Sequence, residues 1–175
     1  MSDSPPRTSA ALEVSRSRWA VRAAVALVLL VALLAVLLWY TTHPRELATS
    51  EETRQAATPV GVPVYVAMAP APTDRSLGVD GVKLRVTANT DVDVRPLLCR
   101  DGSPGVTSDP AAYCSELVDP EGQRLEPGDS LLVEVAADEP AIVVVDRIRV
   151  GYQDGIRAAT QPAGVDHAVV NVLGR

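Results

Sequence analysis

Phenylalanine is absent from all 175 residues, and the two tryptophans, Trp19 and Trp39, both fall within the first forty. Any core built by the remainder must therefore be aliphatic, and the Cys…Trp…Cys arrangement of antibody domains is excluded. Cysteine occurs only at 99 and 114, and histidine only at 43 and 167. Two cysteines with no adjacent histidine or second pair supply half of a tetrahedral zinc shell. Their spacing is also wrong for a C-x-x-C redox pair. The nucleophile signatures G-x-S-x-G and S-x-x-K are missing. So are the phosphate cradles G-x-x-x-x-G-K and G-x-G-x-x-G, the D-x-D-x-D-G calcium loop and any N-x-[ST] acceptor. These absences argue for a chain with no catalytic residues, no cofactor and no metal site.

One long apolar run is present. AAVALVLLVALLAVLLWY (residues 23–40) has no charge and is almost entirely Ala, Val and Leu. As a helix it spans about 27 Å, and with the snorkelling stem of Arg22 it matches a hydrocarbon core of about 30 Å. Trp19 at one end and Trp39-Tyr40 at the other are placed as interfacial anchors. The rival reading is a cleaved signal peptide, but that needs a shorter apolar core and a nearby small-x-small site. WYTTHPRE follows instead. The expectation is an uncleaved signal anchor over residues 19–40, contacting the lipid bilayer, after a short tail of residues 1–18. Arg7, Arg16, Arg18 and Arg22 precede the span, whereas only Arg45 and Arg54 follow it closely. The positive-inside rule then puts the tail in the cytoplasm and residues 41–175 outside it, at the cell membrane.

That outer part carries twelve basic against twenty acidic side chains, a net charge of −8. Such a surface repels nucleic acid. Outside the cytoplasm disulfides persist, and the fourteen residues between Cys99 and Cys114 include Gly102, Pro104, Gly105 and Pro110, so the chain turns back easily. A Cys99–Cys114 bridge is expected.

Residues 41–58 have no apolar stripe and read as a juxtamembrane stalk, either a helix starting at Pro44 or a loose linker. From residue 59 to 175 the period changes to two. GVPVYVAMA (61–69), GVKLRVTA (81–88), DVDV (91–94), LLC (97–99), a strand after RLEPGDS, IVVVDRIRVGY (142–152), IRAAT (156–160) and HAVVNVL (167–173) read as strands. Alternation directs Val82, Leu84, Val86, Leu131, Val133, Val135, Ile148, Val150 and Tyr152 inward, and Lys83, Arg85 and Thr87 outward. Asp154-Gly155 marks a hairpin turn. Short strands with frequent turns and no helical pattern imply an all-β, antiparallel, Ig-like sandwich.

A basic tail, one span, a polar stalk and a small β-domain resemble single-pass envelope proteins of actinobacterial type. RLEPGDSLLVEV is similar to the L-x-P-G-[DEQ]-S turn of Ig-like accessory domains, and DRIRVGYQDGIRAATQPAG to their closing hairpin. The resemblance implies no activity and assigns no functional residue. His167 is a lone strand histidine, and Asp91 with Asp93 forms a pair on one strand face. Arg147, Arg149 and Arg157 read either as a solubilising edge or as a patch for an acidic wall polymer or protein partner. The function expected is that of a membrane-anchored extracytoplasmic binding or scaffolding module with an envelope protein partner. An accessory subunit of a transporter or secretion complex, and a ligand- or metal-binding sensor domain, are the alternatives.

Overall fold

The computed structural model describes residues 13–42 and 44–174, which divide into two units, one ending at His43 and one beginning at Pro44. Most of the tail (residues 1–12), His43 and Arg175 lie outside the described residues, as do the side chains of residues 13–17 and 42.

The first unit is one helix, α1 (Glu13–Thr42). Its stretch Arg18–Thr41 is long and apolar enough to cross a bilayer, and none of it is buried in protein. An element apolar on every face and unburied has no interior to pack into, so by length and composition it suits a membrane anchor or a signal sequence.

The second unit is β. In chain order its strands are β1 (Thr53–Pro59), β2 (Val64–Pro70), β3 (Leu77–Lys83), β4 (Val86–Ala88), β5 (Asp93–Cys99), β6 (Val106–Thr107), β7 (Leu117–Val118), β8 (Arg124–Leu125), β9 (Ser130–Ala136), β10 (Ala141–Asp154) and β11 (Arg157–Leu173). One sheet has the order β1-β11-β10-β3-β8, with β4 also pairing β10, and the other has the order β6-β2-β9-β5-β7. Both contribute to one core: Val66, Met68, Leu131 and Val133 from the second sheet meet Leu77, Val143, Ile148 and Tyr152 from the first. Full burial of each such side chain stabilises by roughly 1.5–3 kcal/mol.

The inward set expected for β9 holds, since Leu131, Val133 and Val135 are all buried. In β10 the buried positions are 141, 143 and 145, then 148, 150 and 152. An irregularity between Asp146 and Ile148 shifts the parity, so both halves of the strand face the core.

Four expectations need correction. Residues 41–58 are not a stalk: β1 lies within them and pairs along β11 from Thr53↔His167 to Pro59↔Leu173. Its inward residues are only Ala56 and Thr58, too small to register as an apolar stripe, yet the strand pairs β11 continuously over His167–Leu173. That pairing is also parallel, so the domain is not purely antiparallel. The single strand expected over 81–88 is divided into β3 and β4, interrupted at Leu84 and Arg85. Finally, β5 runs through Pro96 instead of stopping there. Proline is tolerated because β7 covers only Leu98 and Cys99 on that side, leaving Pro96 at an open edge.

Cys99 and Cys114 are joined in a disulfide with a Cα–Cα distance of 5.2 Å. They pack with Ala67 and Leu132 in a small cluster separate from the main core. The bridge therefore pins the 100–116 loop against one sheet and does not link the two sheets. Asp129, in the EPGDS turn, organises the base of this loop. Its carboxylate accepts from the backbone N–H of Asp101 and of Glu126 and from Arg100 Nη1, at 2.8–3.1 Å.

Candidate functional site

The irregularity that restores the parity of β10 also builds the most chemically distinctive surface of the domain. Asp146 pairs with His167 and Ile148 with Ala163, so the single residue Arg147 opposes residues 164–166. Such bulges re-aim side chains. Here Gly164 turns the chain with φ +75°, and its N–H and C=O bond Ala48 and Ser50 of the incoming segment at 2.8 and 2.9 Å. Arg147 is drawn into the same junction. Its Nη2 donates to Ser50 O at 2.8 Å and to Glu51 Oε1 at 3.0 Å, and lies 3.2 Å from Asp166 Oδ1. Its Nε is buried without an acceptor. Arg147 is thus a structural tie and not the free outward arginine that strand alternation implies.

Beyond it, Asp166 Oδ2 lies 3.1 Å from His167 Nδ1, and His167 Nε2 lies 3.1 Å from Thr53 Oγ1. The order hydroxyl, imidazole, carboxylate is that of a nucleophile relay. The surroundings differ, because the His167 and Asp166 side chains are 37% and 42% exposed. Charge developing there would be solvated by bulk water instead of by a preorganised dry site.

Next to the bulge opens a cleft of about 490 Å³, bordered by Lys83, Arg85, Arg149 and Pro162 as well as the bulge residues. Four cations line it against two carboxylates, Asp146 and Asp166. Arg147 and Asp166 neutralise one another, whereas Lys83, Arg85 and Arg149 have no carboxylate within 4.0 Å among the described residues. All three are exposed. Lys83 and Arg149 are direct cross-strand partners, an arrangement in which like charges repel across roughly 5 Å.

The row of Arg147, Arg149 and Arg157 expected from sequence does not form. Arg157 pairs in register with Asp154 at the hairpin end and does not line the cleft, while Lys83 and Arg85 take its place. The alternation of GVKLRVTA already turns those two outward. What sequence lacked was the edge pairing of β3 with β10. The Asp91–Asp93 pair also changes character: Asp91 precedes β5, so the two do not share a strand face. No group of three or more His, Cys, Asp or Glu is arranged to hold a metal ion among the described residues.

Elsewhere, Glu134 links three strands of the second sheet, accepting from Tyr65 Oη at 3.1 Å and pairing closely with Arg95. Burial, then the hydrogen bond to Glu134, raises the Tyr65 phenol above its ordinary value. Burial likewise raises Tyr152, whose hydroxyl donates to Arg45 O at 2.7 Å. On the helical unit, Trp19, Arg22, Trp39 and Tyr40 are all exposed, and about 30 Å of helix separates Trp19 from Trp39. Comparison with protein-family models, with curated proteins and with solved structures finds no match to this chain.

Proposed function

We propose that this chain is a membrane-tethered, extracytoplasmic binding module that performs no catalysis. In this reading α1 is an uncleaved signal anchor, with Trp19, Arg22, Trp39 and Tyr40 at the two interfaces and the N-terminus in the cytoplasm. The β unit is an Ig-like sandwich presented to an envelope partner, in the manner of single-pass actinobacterial-type proteins. The observation that carries this reading is an unburied apolar helix joined to a β unit that has a core of its own. An oxidising compartment suits the disulfide. The solvated Thr53–His167–Asp166 row favours binding over turnover.

The experiment is protease treatment of intact and of lysed cells producing the chain with a C-terminal tag, followed by crosslinking and purification from membranes. Loss of the tag from intact cells, with one protein recovered by crosslinking from the β unit, is the expected outcome. A tag digested only after lysis would reverse the orientation and with it the compartment.

A further inference from the structure

The bulge-side cleft holds charge that the rest of the molecule does not explain. In a chain of net charge −6, three exposed cations without carboxylate partners stand together on one sheet. Arg147 shows that the fold is able to pair a cation here: it is given both Glu51 and Asp166. Lys83 and Arg149 are instead set directly opposite one another, and Arg85 follows on the same outward alternation. A like-charged cross-strand pair is destabilising unless an anion sits between its members. Counting Asp146 and the two carboxylates on Arg147, the four cations still outnumber the anions, and Lys83, Arg85 and Arg149 are the ones left without a direct ion pair among the described residues.

We propose that this cleft binds a phosphate-bearing ligand, with Lys83, Arg85 and Arg149 as the contacting groups. A phosphate monoester carries a charge of about −1.5 to −2 and three acceptor oxygens, which suits three cationic donors better than a single carboxylate does. The two arginines offer planar forks to phosphate oxygens, and Lys83 supplies a point charge. The cleft volume of about 490 Å³ exceeds what a phosphate alone needs, and Leu84 and Pro162 give its wall an apolar stretch for the group that carries the phosphate. The ligand is thus a phosphate ester, either a soluble one or a lipid headgroup. This inference deepens the binding-module reading and names the ligand chemistry. It rests on residues of the β unit alone, so it stands or falls separately from the topology test.

The test is calorimetric titration of the full chain, in non-ionic detergent at fixed ionic strength, with glycerol 3-phosphate. Saturable binding is expected, weakened about tenfold or more in the double variant Lys83→Gln/Arg149→Gln. In Arg124→Gln, an exposed arginine away from the cleft, it should be unchanged. A short-chain phosphatidic acid in the same titration distinguishes the sources. Much tighter binding of the lipid, lost in the double variant, assigns a headgroup, and equal affinity assigns soluble esters. No saturable binding of either compound, or equal weakening by Arg124→Gln, overturns the proposal. Unchanged thermal unfolding of the double variant excludes misfolding as the cause of its loss.

Discussion

Three glycines separate conformational need from steric need at the scale of single residues. Gly155 has φ +63° and nothing within 4 Å of a would-be Cβ. It is the first central residue of the β10–β11 turn, followed by exposed Ile156, so the turn lies one residue later than Asp154-Gly155 suggested. Gly155→Ala should cost only the left-handed penalty, about 1–2 kcal/mol. At Gly164 the φ is +75° and a Cβ would also fall 1.8 Å from Met68 O. There the backbone of the bulge or of β2 must move, and Gly164→Ala should exceed about 4 kcal/mol. Gly102, whose Cβ would meet Tyr113 O at 2.1 Å, should fall closer to Gly164 than to Gly155. Denaturant midpoints of the three variants order them, and equal losses would refute this account. Tyr152 gives a pH test at the same scale. Its folded phenol titrates above its unfolded value, so the folded state holds the proton more tightly. That contribution is complete below about pH 10 and declines as pH rises through the folded value. Tyr152→Phe should lose about 1 kcal/mol at neutral pH and show a shallower alkaline decline, the remainder belonging in part to Tyr65. An unaltered alkaline slope in Tyr152→Phe would count against burial of Tyr152 as its source.

Among the elements, those legible in the sequence are those whose period is written in large aliphatic side chains. The inward Leu131, Val133 and Val135 of β9 and the inward Ile148, Val150 and Tyr152 of β10 follow from alternation, whereas the first half of β10, with Ile142 exposed and Ala141, Val143 and Val145 buried, does not. β1 is written in Ala and Thr and reads as connector, and the proline in β5 divides its reading into the two short strands DVDV and LLC, although the backbone pairing of each is complete along β11 or β9. The cleft was half legible. Alternation turns Lys83 and Arg85 outward, but their meeting with Arg149 depends on long-range register, and the bulge that removes Arg147 has no local signature. The EPGDS turn shows the opposite case, a recognisable motif whose role emerges only in three dimensions. Asp129 is buried and Arg100 half-buried, with side chains 3% and 21% exposed. Asp129→Ala would leave Arg100 and two backbone N–H groups without their acceptor, and should cost about 3–5 kcal/mol. Thermal unfolding reads this out, and a loss below about 1 kcal/mol would show that water replaces the carboxylate. The disulfide acts on the same loop. Cys99→Ala and Cys114→Ala should each cost about 3 kcal/mol, and the double variant no more than either single one. Additive losses would mean that each cysteine contributes through packing.

For the whole molecule, the strand at the start of the β unit changes which part of the chain counts as connector. Residues 45–52 are tied down before β1 begins. Arg45 O accepts from Tyr152, Leu47 N–H donates to Gln161 Oε1, Gly164 bonds the segment twice, and Asp166 N–H donates to Glu52 O. Apart from the bond from Tyr152, which belongs to β10, these contacts follow β11 from Gln161 to Asp166 and lead into the β1 ladder over His167–Leu173. Removing them would expose the edge of β11 from Gln161 to Leu173, and the buried Ala56 and Thr58 would be lost. A chain beginning at residue 59, where the stalk was expected to end, should therefore unfold or aggregate. One beginning at Pro44 should fold with a single cooperative transition, because it keeps every one of these bonds. Inserting a flexible Gly-Ser segment between Thr42 and Pro44 in the full chain should leave the unfolding temperature of the β unit unchanged, since no bond described within that unit is interrupted. Circular dichroism melts of the three proteins distinguish the alternatives. A stable domain starting at residue 59 would restore the stalk and reduce β1 to an accessory strand.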